Sequence, residues 1–296
     1  TIFIFCIFGN IKNFTFMIKK ELNNFIRNAL FEDLGDGDHS SLGSIPKNTK
    51  SKAHLLVKDQ GIIAGIDLAL MILQEVDKNL KITKNLNDGD HVEYGDIAFI
   101  VEGNAISILQ AERLILNCMQ RMSGIATKTH KLNSLIKNNK CKLLDTRKTT
   151  PLNRIIEKWA VKIGGGFNHR FGLFDMIMIK DNHIDFAGGI SKAINKTKKY
   201  LSENNKQLDI IIEARNLNEV KQIIKEDGVK RILLDNFDYE TTKKAIAIIK
   251  KKCEVESSGG ITEKNISEYA DCGVNFISIG ALTHSPNNFD LSLKAF

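Results

Sequence analysis

The chain has 296 residues, 43% of them hydrophobic and 26% charged, with a net charge of +7. That length holds one large or two ordinary domains with a substantial core, and three prolines without a low-complexity tract exclude a long disordered region. The basic balance invites a nucleic-acid partner, but only eight of the 42 basic residues are arginine, and the lysines scatter over solvated helical faces such as Lys196, Lys198 and Lys199.

The first sixteen residues, TIFIFCIFGNIKNFTF, fit no targeting class. The apolar run Ile2 to Phe8 is too short to span a bilayer, has no basic residue before it, and has no small-residue cleavage site after it. Met17 opens an amphipathic segment, so residues 1–16 are expected to be an extension ahead of the native start. Five cysteines (Cys6, Cys118, Cys141, Cys253, Cys272) without a CxxC pair fit reduced thiols in a cytosol better than a disulfide frame or a zinc site.

From Glu21 to Leu34 the apolar residues Leu22, Phe25, Ile26, Ala29 and Leu30 recur at helical spacing. The turn-rich Gly35–Ser41 follows, then strand-like pieces at Ala53–Lys58 and Ile97–Glu102 with a helix over Leu68–Val76 between them. The paired Gly-Asp steps of Asn87–Gly103 suit tight turns in a small sheet. Biotinyl- and lipoyl-carrier folds show a similar pattern, although no modifiable lysine stands at a hairpin tip here. A long helix is predicted from Ser107 to about Lys137, broken at Ser123-Gly124.

Beyond it the rhythm becomes strand, loop, helix. Strands are predicted at Cys141–Asp145, Met176–Lys180, Asp209–Glu213, Arg231–Asp235, Cys253–Ser257 and Asn275–Ile279. Amphipathic helices follow at Leu217–Glu226, Tyr239–Lys251 and Glu263–Cys272. Apolar strands alternating with helices imply a parallel α/β sheet or barrel. Each strand ends in polar groups: Asp145 to Lys148, Lys180 to His183, Glu213, Asp235-Asn236, Glu256 to Gly260, and Gly280. Functional groups gathered at successive strand ends favour a barrel over an open doubly wound sheet.

The cations concentrate. DTRKTTPLNR carries Arg147, Lys148 and Arg154, and the next segment supplies His169, Arg170 and Lys180. Crowding them around one pocket is costly unless an anion fills it, and arginine forks hold carboxylates at two points. Ion pairs with Asp145, Asp175 and Asp181 explain any one of them more easily than all. Glu213 and Asp235, both at strand ends, suit magnesium, ribose hydroxyls or a cationic transition state, and the residues alone do not choose among these. Gly259-Gly260 frees backbone N–H groups for an anion ahead of the following helix, and Gly280 stands at the next strand end. Phosphate sites in barrels commonly use the last two loops in this way.

ERLILNCMQRMSGIAT (112–127), DTRKTTP (145–151), GGGFNHRFGLFD (164–175), IKDNH (179–183), LLDN (233–236), ESSGGI (256–261) and SIGALTHS (278–285) together resemble the quinolinate phosphoribosyltransferase family. The resemblance implies an α/β fold made of an N-terminal α/β sandwich (17–124) and an open, incomplete α/β barrel (125–286), with a tail (287–296) returning to the sandwich. It implies transfer of phosphoribosyl from phosphoribosyl pyrophosphate (PRPP) to quinolinate with decarboxylation, giving nicotinate mononucleotide for NAD synthesis in the cytoplasm with Mg2+. It also implies a homodimer in which Arg113 reaches the partner's site. By the same resemblance Arg113, Arg147, His169, Arg170 and Lys180 surround quinolinate, and Lys148, Glu213 and Asp235 serve the chemistry. Glu213 and Asp235 lie near the ribose and metal, and Ser258, Gly259, Gly260, Gly280 and His284 bind PRPP. Two departures stand out: Ile211 where many relatives have an acidic residue, and Pro151-Leu152-Asn153-Arg154 in place of Pro-Gly-Leu-Arg. A paralogue of the same fold acting on another anionic acceptor is the nearest rival. A nucleic-acid binder is disfavoured because Trp159 is the single tryptophan and no stacking platform is evident.

Overall fold

The computed structural model describes residues 11–296, with side chains from Lys20 onwards. In chain order its elements are α1 (Ile11–Leu34), α2 (His39–Ser44), β1 (Lys50–Val57), β2 (Gly61–Ile62), α3 (Ile66–Val76), β3 (Lys81–Lys84), β4 (His91–Val92), β5 (Ile97–Asn104) and α4 (Ala105–Leu135). There follow β6 (Lys142–Leu144), α5 (Arg154–Ile163), β7 (Ile177–Ile179), α6 (Asp181–Ala187), α7 (Ile190–Glu203), β8 (Ile210–Ala214) and α8 (Leu217–Ile223). The last are β9 (Val229–Asp235), α9 (Tyr239–Ile249), β10 (Glu254–Ser258), α10 (Ile266–Asp271), β11 (Phe276–Ser278), α11 (Ala281–His284) and β12 (Leu291–Ala295).

Two sequence expectations need correction at helix ends. The first helix begins at Ile11 and not at Met17, because neither proline nor glycine lies between them to stop it. The rest of the expected leader, residues 1–10, lies outside the described residues. The predicted break at Ser123-Gly124 is also absent: α4 runs unbroken from Ala105 to Leu135. Gly124 serves close approach instead of a turn, since a Cβ there would collide with the carbonyl of Asn287. Ser123 stays in the helix and turns its hydroxyl to the backbone of Ala64, accepting from its N–H at 2.9 Å.

The chain forms two compact units: residues 1–130, 149–165 and 282–296 in the first, and residues 131–148 and 166–281 in the second. The first holds an antiparallel sheet in the order β12-β1-β5-β3 and a small β2-β4 pair. Phe99, Leu55 and Val57 fill its core together with Leu68, Ile72 and Leu73 of α3 and Ile115 and Met119 of α4. The Gly-Asp steps are scaffolding: Gly89 and Gly95 take positive φ values of 98° and 100°, and Asp88 accepts the N–H of Ile66 at 2.8 Å at the start of α3. Segment 149–165, read from sequence as part of the barrel, groups with the first unit. Glu157 of α5 is fully buried and takes two hydrogen bonds from Arg121 of α4, while Gly164 lies too close to the Ala126 carbonyl for any side chain.

The second unit is a six-stranded parallel sheet in the order β6-β11-β10-β9-β8-β7. Followed along the chain, the strands circle from β6 round to β11, which pairs with β6. Closure fails only between β6 and β7, where a single bridge joins Leu144 to Phe167. This is an open barrel. Its strands are short and apolar, with all five residues of β8 buried, as a sheet covered on both faces requires.

Candidate active site

The carboxyl ends of β6 to β11 converge, and the chemistry-bearing residues stand on them. Asp145, directly after β6, is fully buried and accepts the main-chain N–H of His169 at 2.8 Å. This anchors the loop between α5 and β7 beside the exposed Arg147 and Lys148. The same loop is folded on itself by Asp175, whose carboxylate accepts the N–H groups of Phe171 at 2.6 Å and Gly172 at 2.8 Å.

Arg170 is 6% exposed, and its guanidinium donates to the carbonyl of Met176 at 3.3 Å. Its pKa is lowered, first by burial and then by the neighbouring positive charge of Arg147; Asp175 and Glu213 act the other way. A second cation beside a desolvated guanidinium creates a site that a carboxylate or phosphate would relieve. Lys180, after β7, donates from Nζ to Oε1 of Glu213 at 2.6 Å, while its own N–H is taken by Nδ1 of His183 at 2.9 Å. Arg147, Arg170, Lys180 and Glu213 therefore share one electrostatic field.

Strand register brings the remaining groups alongside. Ser258 is level with Asp235 on β9 and with Ser278 on β11, and Gly280 follows two residues later. Gly259 and Gly260 take φ values of 93° and 62°. A side chain at Gly259 would run into Asn236, whose own φ is 55° and whose N–H donates to the carbonyl of Ser258 at 2.9 Å. The two left-handed turns fit together only because one of them is glycine. The helix expected to add its dipole here begins at Ile266 instead of Glu263, because Asn265 folds back to take the N–H of Thr262 at 2.7 Å. The cradle is accordingly one of loop N–H groups, not of a helix end.

The second unit thus brings together Arg147, Lys148, His169, Arg170, Lys180, Glu213, Asp235, Ser258, Gly259, Gly260 and Gly280. Arg113, Arg154 and His284 belong to the first unit. Arg113 is exposed on α4, Arg154 donates to the Thr149 hydroxyl at 3.0 Å, and Nδ1 of His284 lies 2.6 Å from the Ser285 hydroxyl. Among the described residues no group of three His, Cys, Asp or Glu side chains forms a metal cluster. Glu213 and Asp235, from neighbouring strands, offer two hard oxygen donors, the set that suits a magnesium ion arriving on a substrate phosphate.

Sequence reasoning overlooked Arg231 and gave Glu256 no role of its own. The signal was present: charged residues at alternate positions of strands that otherwise read as apolar core.

The chain is similar to known proteins over most of its length. Residues 33–123 match the N-terminal domain model of quinolinate phosphoribosyl transferase, and residues 125–294 match its C-terminal domain model. A quinolinate phosphoribosyltransferase [decarboxylating] of Nicotiana tabacum is 45% identical over 93% of this chain and 82% of its own. A probable nicotinate-nucleotide pyrophosphorylase [carboxylating] of Bacillus subtilis is 37% identical over 93% of this chain and 92% of its own. The solved nicotinate-nucleotide pyrophosphorylase of Francisella tularensis superposes with a TM-score of 0.87 at 40% identity, covering 94% of this chain and 96% of that one.

Proposed function

The chain belongs to the quinolinate phosphoribosyltransferase family, and we propose that the polar mouth of its open barrel carries that family's decarboxylating transfer. The reaction joins quinolinate to PRPP and yields nicotinate mononucleotide, pyrophosphate and CO2 in NAD biosynthesis. The observation that carries the reading is the buried Arg170, repelled by Arg147 and set beside the Lys180–Glu213 pair on strand ends next to a glycine cradle. Such a site asks for a dicarboxylate on one side and phosphates on the other.

Arg147, Arg170 and Lys180 hold the two quinolinate carboxylates, with His169 behind them. Lys180 leaves Glu213 as the dicarboxylate enters, and Glu213 is then free to face the ribose with Asp235. Ser258, Gly259, Gly260 and Gly280 take the phosphates of PRPP. The quinolinate nitrogen attacks C1 of the ribose as pyrophosphate departs, and the two carboxylates face the positive charge that develops on the sugar. The newly cationic nitrogen then stabilises the electron pair left on the adjacent ring carbon when its carboxylate leaves as CO2, and that carbon takes up a proton from water to give the product. The cations retain the other carboxylate, and Lys148 adds positive charge at the same mouth. Magnesium, held by Glu213 and Asp235, would neutralise the pyrophosphate.

Incubation with quinolinate, PRPP and magnesium should yield nicotinate mononucleotide and CO2 together. Turnover of nicotinate in place of quinolinate would overturn the assignment. The four described cysteines are free thiols, which supports a reducing compartment, and no helix among the described residues is long and apolar enough to cross a membrane.

The exposed position of Arg113 supports a homodimer in which it serves the partner's barrel. Arg113→Ala and Lys148→Ala homodimers should each be nearly inactive. After proven subunit exchange, a mixture should recover towards about a quarter of wild-type activity, since half the dimers are mixed and each has one intact site of two. A mixture that exchanges yet stays inactive refutes the donated arginine.

A further inference from the structure

Strand β10 carries Glu254, Glu256 and Ser258 at alternate positions, so all three face the same side of the sheet. Ser258 heads the glycine cradle, and Glu256 lies two residues deeper and is completely buried. A carboxylate at that depth persists only with partners. Two groups meet the same oxygen, Oε2: Nη1 of Arg231 donates at 2.9 Å, and Nε2 of His169 lies at 3.4 Å. Arg231 has a second carboxylate of its own, Glu254, at 3.1 Å, and its guanidinium lies over the Phe276 ring at 3.6 Å. One arginine thus faces two carboxylates, and the surplus negative charge is directed at His169.

The other side of that imidazole is fixed as well. Nδ1 of His169 accepts the main-chain N–H of Arg170 at 2.6 Å. A nitrogen that accepts a hydrogen bond carries no proton, so the neutral ring holds its hydrogen on Nε2, facing Glu256. A continuous line follows: the Glu256 carboxylate, the His169 ring, the Arg170 backbone, and the Arg170 guanidinium that donates to the Met176 carbonyl.

We propose that Glu256 is a positioning residue for the dicarboxylate substrate, acting through His169 to fix the backbone and direction of Arg170. The proposal rests on the reading of Arg170 as a carboxylate fork. The Glu256 carboxyl fits this role: burial pushes its pKa up, but its close contacts with His169 and Arg231 outweigh that and hold the group at about 2. Glu256 therefore stays ionised, and His169 keeps one orientation.

The test uses the full chain. Among its seven histidines, labelled with 15N, the His169 ring is assigned by its loss in His169→Asn. Wild type should show the neutral Nε2–H tautomer at neutral pH, and Glu256→Gln should shift the Nε2 signal. In steady state Glu256→Gln should raise KM for quinolinate on the order of 10-fold, the effect of losing one charge-assisted support, and leave KM for PRPP nearly unchanged. A wild-type ring protonated on Nδ1, an unchanged KM for quinolinate, or an equal rise in both KM values would each overturn the idea.

Should Glu256→Gln fail to fold, His169→Gln serves instead. It keeps a donor towards Glu256 but loses the acceptor for Arg170, and should give the same selective loss for quinolinate; equal losses for both substrates overturn the relay. Failure of the underlying reading would look different, because wild type itself would not turn over quinolinate, while the tautomer would still report on the relay.

Discussion

Arg170 and Arg231 are both buried in one barrel, with 6% and 9% of their surface exposed, yet they are held in opposite ways. Arg231 lies between two carboxylates and against an aromatic face, and its charge is compensated inside the protein. Arg170 donates to a carbonyl and is repelled by Arg147, so its charge is only partly met, by Asp175 and Glu213. The contrast separates an arginine neutralised within the fold from the one proposed to meet a ligand, and burial alone would not separate them.

The largest effect expected from this contrast is on stability. Arg231→Met removes one partner of a buried network and leaves carboxylates without their cation, at a cost of about 3–5 kcal/mol in urea unfolding. The fraction still folded should largely keep its KM for quinolinate. A variant of unchanged stability would show that Arg231 is not the structural member of the pair.

Acid should expose the same network. The pKa of Glu256 is lowered from 4.5 to about 2, so the stability it contributes is fully present above pH 4.5 and is lost as pH falls towards 2. The contribution is on the order of 3 kcal/mol. Glu256→Gln should accordingly flatten the stability profile across that window, which chemical denaturation at several pH values measures. An unchanged slope would mean that the carboxyl is not held ionised.

Arg170→Ala, by contrast, should weaken quinolinate binding by about 2–4 kcal/mol with little change in PRPP binding. Its stability should not fall as that of Arg231→Met does, since removing Arg170 also removes its repulsion by Arg147. A loss of stability matching that of Arg231→Met would erase the distinction. The smallest effect is a control outside the barrel. Gly124→Ala forces α4 away from the carbonyl of Asn287 and should cost about 1–3 kcal/mol, with substrate KM values unaltered. Selective loss of quinolinate binding in that variant would show that the barrel site depends on the tail.

Much of the barrel was legible because its strands are apolar runs closed by polar residues. Ile210–Ala214 and Val229–Asp235 lie within two residues of their predicted bounds. The strand-end residues were legible too, since a barrel leaves few other places for a catalytic group. What sequence hid was pairing. Nothing in it shows that Glu256 reaches Arg231 and His169, because those contacts depend on a neighbouring strand and on the loop between α5 and β7. Gly124 misled for a related reason: glycine marks a break or a close approach alike, and the deciding atom, the Asn287 carbonyl, lies 163 residues further along the chain. The Arg121–Glu157 pair, which ties α5 to α4, was overlooked for the same cause.

The last strand of the chain has a consequence for the order of synthesis. Leu291–Ala295 pairs antiparallel with Lys50–Val57 as the edge strand of the first unit's sheet, and Gln120 fastens it by donating to the Leu291 carbonyl at 3.1 Å. The six strands of the second unit have all been made by Ser278, whereas the first unit, begun earlier, waits for residues 291–295. A nascent chain leaving the ribosome therefore holds β1 with one bare edge until Leu291–Ala295 has emerged, so the unit begun first is completed after the second.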